Sequence, residues 1–496
     1  MDFDVIVIGS GLGGLTAASR LAILGYNVGV FEQHFIPGGY ATNFKRKNYN
    51  FDVSLHGIGG LEKGGSVYNI LSACGVMQKI KPLKNKEAYS VKFNKDIYDI
   101  PNNKDEYKEF LISKFPLEKI KIEKLFNAIG RFSNGFNRFI LEQDKSIFNV
   151  MHKDVLLFIK WSGKTTYEVI KEYIDNDDFI KLFTANWSYY GLPPKELSAL
   201  YFFIPWISYH VHGKYYIQGG AQALTNAFVE VIKNNNGLVY LKSMVQKILT
   251  DGEKVNGIRL NNGDEFKAKW IISNVNPINT YKMLPKDFLS NSEMDKINNS
   301  KIGCTLSQLY LGLDCNPKDI GIEKEEIFFL GKVSPQEDYE LALKNNYEEA
   351  GFLLTNYNAM DSTLNDDKNG VITMTYIDNY DYWSKNKEDY LKQKENVTAR
   401  MIKRLGKYYK GISKHIVIAE LGTPRTMEKY TKNPLGAVYG YAQYVDQAGK
   451  HRLKKETSVK NLSLVSAWTN PGGGYEGVMS GGIVEAQRIS KHLEKN

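Results

Sequence analysis

A chain of 496 residues is too long for one simple core, and 43% hydrophobic with 24% charged residues is ordinary for a globular protein of two or three units. The net charge of +9 comes from lysines spread along the whole chain and not from an arginine-rich block; this argues against nucleic acid and leaves weak attraction to an anionic membrane surface. Cys74, Cys304 and Cys315 make no CxxC pair and no zinc spacing, so neither a disulfide framework nor a metal site is expected, and a reducing cytoplasm fits.

The chain opens on an apolar strand at Asp4–Ile8, with no basic segment and long apolar run of the signal-peptide kind before it. The strand runs into Gly9-Ser10-Gly11-Leu12-Gly13-Gly14, in which Gly9, Gly11 and Gly14 fill the G-x-G-x-x-G pattern. The first glycine permits a tight turn, the second lets backbone approach a pyrophosphate, and the third lets the following helix pack on the strand. That helix is predicted over Leu15–Ala22, ending near Gly25, and its N-terminus would face the phosphates. A second strand, Asn27–Phe31, ends at Glu32, about 20 residues past the glycines, where an acid grips ribose hydroxyls. Together these make a Rossmann-type dinucleotide unit of α/β class.

Further along, no apolar run approaches the roughly 18 residues of a membrane-spanning helix; the nearest, Leu200–Ile207, is short and contains Pro205. Lys-Asn patches such as Lys84-Asn85-Lys86 read as solvated loops, and His210 and His212 as alternating positions of a strand. Gly257–Leu260 and Asn262-Gly263-Asp264 read as a hairpin, followed by an apolar strand at Trp270–Asn274. No second G-x-G-x-x-G with its strand and acid is found, which argues against a dedicated nicotinamide domain.

Four stretches resemble the phytoene desaturase-like flavoproteins, a group with carotenoid desaturases, carotenoid isomerases and retinol saturases. The first runs from Val7 through Pro37-Gly38-Gly39-Tyr40 to Phe51-Asp52-Val53-Ser54-Leu55-His56, with Ser54 where the family has Gly. The second is Tyr216–Leu224 with the helix and strand that lead to Val245. The third is Thr423-Pro424-Arg425-Thr426 through Tyr439-Gly440. The fourth is Asn461–Gly481, with Pro471-Gly472-Gly473-Gly474 and with Ser466 where Gly is frequent. The resemblance implies FAD as cofactor, bound by Gly9, Gly11, Gly13, Gly14, Glu32, Gln33, Gly38, Gly39, Tyr40, Val245, Gly473, Gly474 and Val478. It implies a discontinuous FAD-binding domain (1–75, 215–280 and 455–496) and a substrate-binding α+β domain (76–214 and 281–454), in the amine oxidase/phytoene desaturase-like arrangement.

The activity so implied is that of an FAD-dependent oxidoreductase — desaturase, saturase or cis-trans isomerase — on a polyene, carotenoid, retinoid or other long isoprenoid. Such a substrate dissolves in lipid, so a cytoplasmic protein touching the inner face of the membrane is expected. Trp187-Ser188-Tyr189-Tyr190 and Tyr201–Trp206 offer aromatic walls for it. His56 and Glu476 are the candidates for proton handling, beside the expected flavin position. An amine oxidase-like activity and a non-redox prenyl-binding escort on the same fold stay open at this stage, as does the redox partner: oxygen, a quinone or a nicotinamide.

Overall fold

The computed structural model describes residues 2–141, 150–285, 288, 290–365 and 368–494. Two seven-stranded sheets dominate them. In the first, Leu238–Tyr240, Val28–Phe31, Phe3–Ile8 and Glu265–Ser273 lie side by side in parallel, as continuous apolar strands buried on both faces require. Glu265–Ser273 is shared. Its early residues pair antiparallel with Lys254–Leu260, the expected hairpin, while Ile271–Ser273 pair in parallel with Leu462–Leu464. Strands from three distant stretches of chain therefore meet in one sheet.

The helix after the first strand spans Leu12–Ile23, starting three residues before the predicted Leu15 because Gly11 itself is the N-cap. It lies against the last helix, Tyr475–Leu493. The two backbones touch closely: a Cβ on Gly482 would stand 2.3 Å from the Gly13 carbonyl oxygen.

The second sheet has the order Ile416–Gly422, Thr305–Leu313, Gly370–Asp378, Phe352–Asn356, Glu326–Phe329, Glu87–Phe93, Asp96–Pro101, antiparallel except where Glu326–Phe329 meets Glu87–Phe93. Helices Lys119–Phe136, Lys153–Ser162 and Ala199–Val211 pack beside it around Ile122, Leu125, Ile129, Phe132, Trp161 and Phe203. The spacing of the first four is that of one helix face. Among the described residues no helix is long and apolar enough to cross a membrane.

Two local expectations are corrected. His210 lies in helix Ala199–Val211 and His212 is its C-cap, so neither is on a strand. His210 is buried between the rings of Tyr107 and Trp206, hydrogen-bonds the Pro101 carbonyl, and burial pushes its imidazole down to about 3. Lys84-Asn85-Lys86 is solvated only at its lysines: Lys84 ends a strand, and Asn85, in the link to the next strand, is buried and donates to Glu325 Oε2 at 2.7 Å.

The contact at Gly482 leads to a first prediction. Gly482→Ala should push the two helices apart and lower stability by about 1–3 kcal/mol, read as a lowered midpoint in thermal unfolding; an unchanged midpoint would show that the contact is slack.

Candidate functional site

One cavity of about 2730 Å³ runs from the glycine-rich first loop into the helical layer. Gly9, with φ +89°, turns the chain out of the first strand. A Cβ on Gly11 would stand 2.5 Å from Asn274 Nδ2, and one on Gly13 2.7 Å from the Val465 carbonyl oxygen, so the loop is wedged against the ends of two neighbouring strands. Gly9, Gly11 and Gly13 border the cavity. Gly14, expected among the cofactor-binding residues, does not: its N–H donates to Asn274 Oδ1 at 3.1 Å, and a Cβ there would lie 2.4 Å from the Gly9 carbonyl oxygen. Its service is close packing of helix on strand.

Glu32 is buried. Its Oε2 accepts from the Ser10 N–H (2.8 Å) and hydroxyl (2.7 Å), and its Oε1 from the His34 N–H (2.8 Å). A carboxylate offers about four acceptor sites, which leaves capacity for one ligand hydroxyl. Gln33 and Val245 flank it on the cavity wall. In the Pro37-Gly38-Gly39 turn the Gly38 N–H donates to the Ser10 carbonyl at 3.1 Å, which docks the turn on the first loop.

The second wall is C-terminal. Pro471-Gly472-Gly473-Gly474 leads into helix Tyr475–Leu493, which has no side-chain cap, and neither has helix Leu12–Ile23. Both helix N-termini line the same cavity. Gly474 adopts φ +83°, and a Cβ there would meet nothing within 4 Å, so this backbone is shaped for something other than protein. Both amide atoms of Gln443, a cavity residue 1% exposed, lack a hydrogen-bond partner. Two helix N-termini, an orphaned amide, a bare glycine and a carboxylate with spare capacity fit a dinucleotide with a polar ring system.

Other contacts brace this wall. Ser54, in place of a family glycine, links the Tyr40 carbonyl (2.8 Å) to the Tyr475 hydroxyl (2.9 Å). Tyr40 in turn donates its hydroxyl to the Ala437 carbonyl at 3.1 Å. Buried Arg452 donates to the carbonyls of Tyr439, Tyr441, Ala467 and Thr469, tying two loops together behind the glycine turn. Glu476, in the first turn of the last helix, accepts from the Ser66 hydroxyl, and burial raises its carboxyl above the ordinary range.

Beyond the glycine turns the cavity becomes apolar. Helix Ala199–Val211 presents Leu200, Tyr201, Ile204, Pro205, Ser208 and Tyr209 to it, the i, i+4, i+8 rows of one face. Phe202, Phe203 and Trp206 point the other way into the core, as does Trp187, so the expected aromatic strip is half wall and half core. The far end is lined by Phe136, Phe139, Ile140, Phe158 and Ile159.

Where the two parts meet stands a polar group of which the sequence pointed to His56 for proton handling and to Tyr189 only as an aromatic wall, and not to Glu326 or Lys214. The His56 Nδ1 lies 2.8 Å from Glu326 Oε1 and 2.6 Å from the Tyr189 hydroxyl. The Tyr189 hydroxyl also donates to Glu326 Oε1, and the Lys214 ammonium pairs with Oε2. Lys214 and Glu326 are 2% and 1% exposed. Burial alone would raise the Glu326 carboxyl, but the Lys214 charge and the His56 hydrogen bond outweigh it and hold it at about 2. Glu326 begins an interior strand of the second sheet, and Lys214 begins the strand Lys214–Ile217, so both backbones are fixed.

Residues 12–490 match the model of a family described as flavin containing amine oxidoreductase. An all-trans-retinol 13,14-reductase of Danio rerio is 26% identical over 500 residues, covering 93% of this chain and 82% of its own. A chloroplastic prolycopene isomerase of Daucus carota is 26% identical over 513 residues, covering 99% of this chain and 80% of its own. The crystal structure of an oxidoreductase from Methanosarcina mazei superposes with a TM-score of 0.65 at 17% identity, covering 97% of this chain and 99% of that one, a likeness of fold.

The buried pair sets a stability prediction. Glu326→Ala leaves Lys214 charged and alone and should cost about 3–5 kcal/mol in urea unfolding at neutral pH. The Glu326 carboxyl is depressed on folding, so its contribution is complete above about 4.5 and is lost as the pH falls through about 2. Wild-type stability should therefore drop more steeply than that of Glu326→Gln across this window; parallel curves would refute the assignment.

Proposed function

The chain belongs to the family of flavin containing amine oxidoreductases, and from that premise we propose that it is an FAD-dependent enzyme that desaturates, saturates or isomerises a long apolar polyene or isoprenoid. The observation that carries the reading is the single continuous cavity, polar and glycine-walled at one end and aromatic and aliphatic at the other. With a cofactor in the polar end, the apolar end suits a long flat hydrocarbon better than a small amine. The relatives named for retinol and prolycopene point to the same substrate class.

In this reading the N–H groups at Gly11 and Gly13 hold the pyrophosphate, Glu32 a ribose hydroxyl, and the Val245 backbone the adenine, with Gln33, Gly38, Gly39 and Tyr40 closing over them. Gly473, Gly474, Val478 and Gln443 bound the ring system, and the N-terminus of helix Tyr475–Leu493 presents its partial positive charge to it. Bound flavin supplies a two-electron donor or acceptor. The protein's residues orient the chain along the Leu200, Tyr201, Ile204 and Pro205 face and keep water from the reacting carbons. The division into an FAD-binding domain (1–75, 215–280 and 455–496) and a substrate domain (76–214 and 281–454) belongs to this proposal, supported by the sheet that joins strands from all three nucleotide stretches.

The apolar end also suggests where the substrate enters. Ile140 and Ile159 line the cavity and are 42% and 44% exposed, and Met151 and Leu156 nearby in sequence are exposed as well. Exposed apolar residues at a cavity rim, in a protein with a lysine surplus, suit docking on an anionic bilayer.

Two tests follow. Under anaerobic conditions one class of polyene should bleach the purified yellow protein and emerge two hydrogens lighter, or, after photoreduction, reoxidise it and emerge two hydrogens heavier, or be isomerised at unchanged mass with the flavin left reduced; no change in any polyene under either condition would sink the substrate class. In flotation with vesicles containing anionic lipid at low salt the protein should rise with the vesicles, and Ile140→Glu/Ile159→Glu should reduce the floated fraction several-fold. Protein wholly at the bottom would refute the docking.

A further inference from the structure

A buried ion pair contributes little to stability compared with apolar residues of the same volume, so the Lys214–Glu326 pair invites a role beyond packing. Its geometry supplies one. The Glu326 carboxylate is ionised and can only accept. The hydrogen between Glu326 Oε1 and His56 therefore belongs to His56 Nδ1, which in the uncharged form of the ring puts the lone pair on Nε2. His56 borders the cavity, and Nε2 has no hydrogen-bond partner among the described residues. Two residues earlier, Ser54 is bound to the Tyr40 carbonyl and the Tyr475 hydroxyl, which fixes this segment against the wall of the cofactor end. On the other side stand Tyr189 and Tyr209, the latter bonded to the Gly57 carbonyl at 3.4 Å.

We propose that His56 is the proton-exchanging residue of this site, with Nε2 as the reacting atom, and that Glu326, oriented by Lys214, is the positioning residue that selects its tautomer. The assignment rests on the reading of the cavity as the site of a polyene reaction. In a dehydrogenation a C–H proton of the bound chain moves to the Nε2 lone pair. The electron pair it leaves closes the new double bond as the neighbouring carbon gives up a hydride to the flavin. In the reverse direction the imidazolium returns the proton. Glu326 lies against the imidazolium in either case and stabilises its charge. Lys214 contributes a constraint of its own. It occupies Oε2, so an amide at position 326 must give its oxygen to Lys214 and turn its NH₂ group toward His56. The Tyr189 hydroxyl, which loses its acceptor at Oε1, then donates to Nδ1 as well, the proton moves to Nε2, and the base is lost.

The test uses holoprotein labelled with ¹⁵N-histidine, the His56 signal being assigned by its loss in His56→Gln. Wild type should show a neutral ring protonated on Nδ1, and Glu326→Gln a ring protonated on Nε2. Turnover should fall roughly 10²–10⁴-fold in both His56→Gln and Glu326→Gln, with KM within about twofold and the flavin absorbance unchanged. The double variant Glu326→Gln/Lys214→Met frees the amide to turn its oxygen to Nδ1, and should recover at least tenfold over Glu326→Gln. A purely structural pair would show the reverse order, with the double variant no better than the single. A wild-type ring protonated on Nε2, or a His56→Gln variant with wild-type turnover, overturns the proposal. The tautomer measurement needs no substrate. If wild type converts no polyene while the ring is protonated on Nδ1, the substrate class fails and the dyad stands.

Discussion

The approach of helix Leu12–Ile23 to helix Tyr475–Leu493 is the constraint on which the site depends. Gly13 and Gly482 bring the two backbones to within a distance that no side chain could share, and the helix N-termini consequently open on one space. Uncapped N–H groups at a helix start seek an anion or an acceptor. Here two sets converge, one beside the loop braced by Asn274 and one beside the turn braced by Arg452. The parallel strands Phe3–Ile8, Glu265–Ser273 and Leu462–Leu464 hold the bases of both loops in register, so the geometry is set by the sheet.

The apolar end follows a different logic. Its walls come from helices whose second faces are occupied by their own core, and helix Ala199–Val211 shows how one segment serves both. Every fourth residue faces the cavity, while Phe202, Phe203, Trp206 and His210 lock the opposite side. Pro205 has no N–H to donate and lies on the cavity face. Between the two ends, His56, Tyr189, Glu326 and Lys214 form a buried polar cluster whose donors and acceptors are matched to each other.

The sequence was most legible where function and local geometry coincide. Gly9 to Glu32 and Pro471 to Gly481 announce their turns through glycine and their helices through the residues that follow, because these motifs are short-range. Gly14 shows the limit: the pattern places it correctly but cannot say whether its N–H faces a phosphate or, as found, Asn274, 260 residues away. Glu326 was invisible for a similar reason. It follows Glu323-Lys324-Glu325, a run that reads as a solvated loop, and its partners His56, Tyr189 and Lys214 are distant in sequence. The strand reading of His210 and His212 failed because aromatic, β-branched composition suggests a strand, while the two-faced packing of this segment makes a helix.

The pairing of Glu265–Ser273 with Leu462–Leu464, and the last helix beyond it, bears on how the protein is made. The first strand, glycine loop and helix are synthesised early, yet the polar end of the cavity lacks a wall until the final described strand and helix have been made. Leu200, Tyr201 and Ile204, which face the cavity, are made long before the C-terminal strand and helix, and contacts of such sequence separation form slowly. The polar end of the cavity is therefore complete only once the two ends of the described chain have come together.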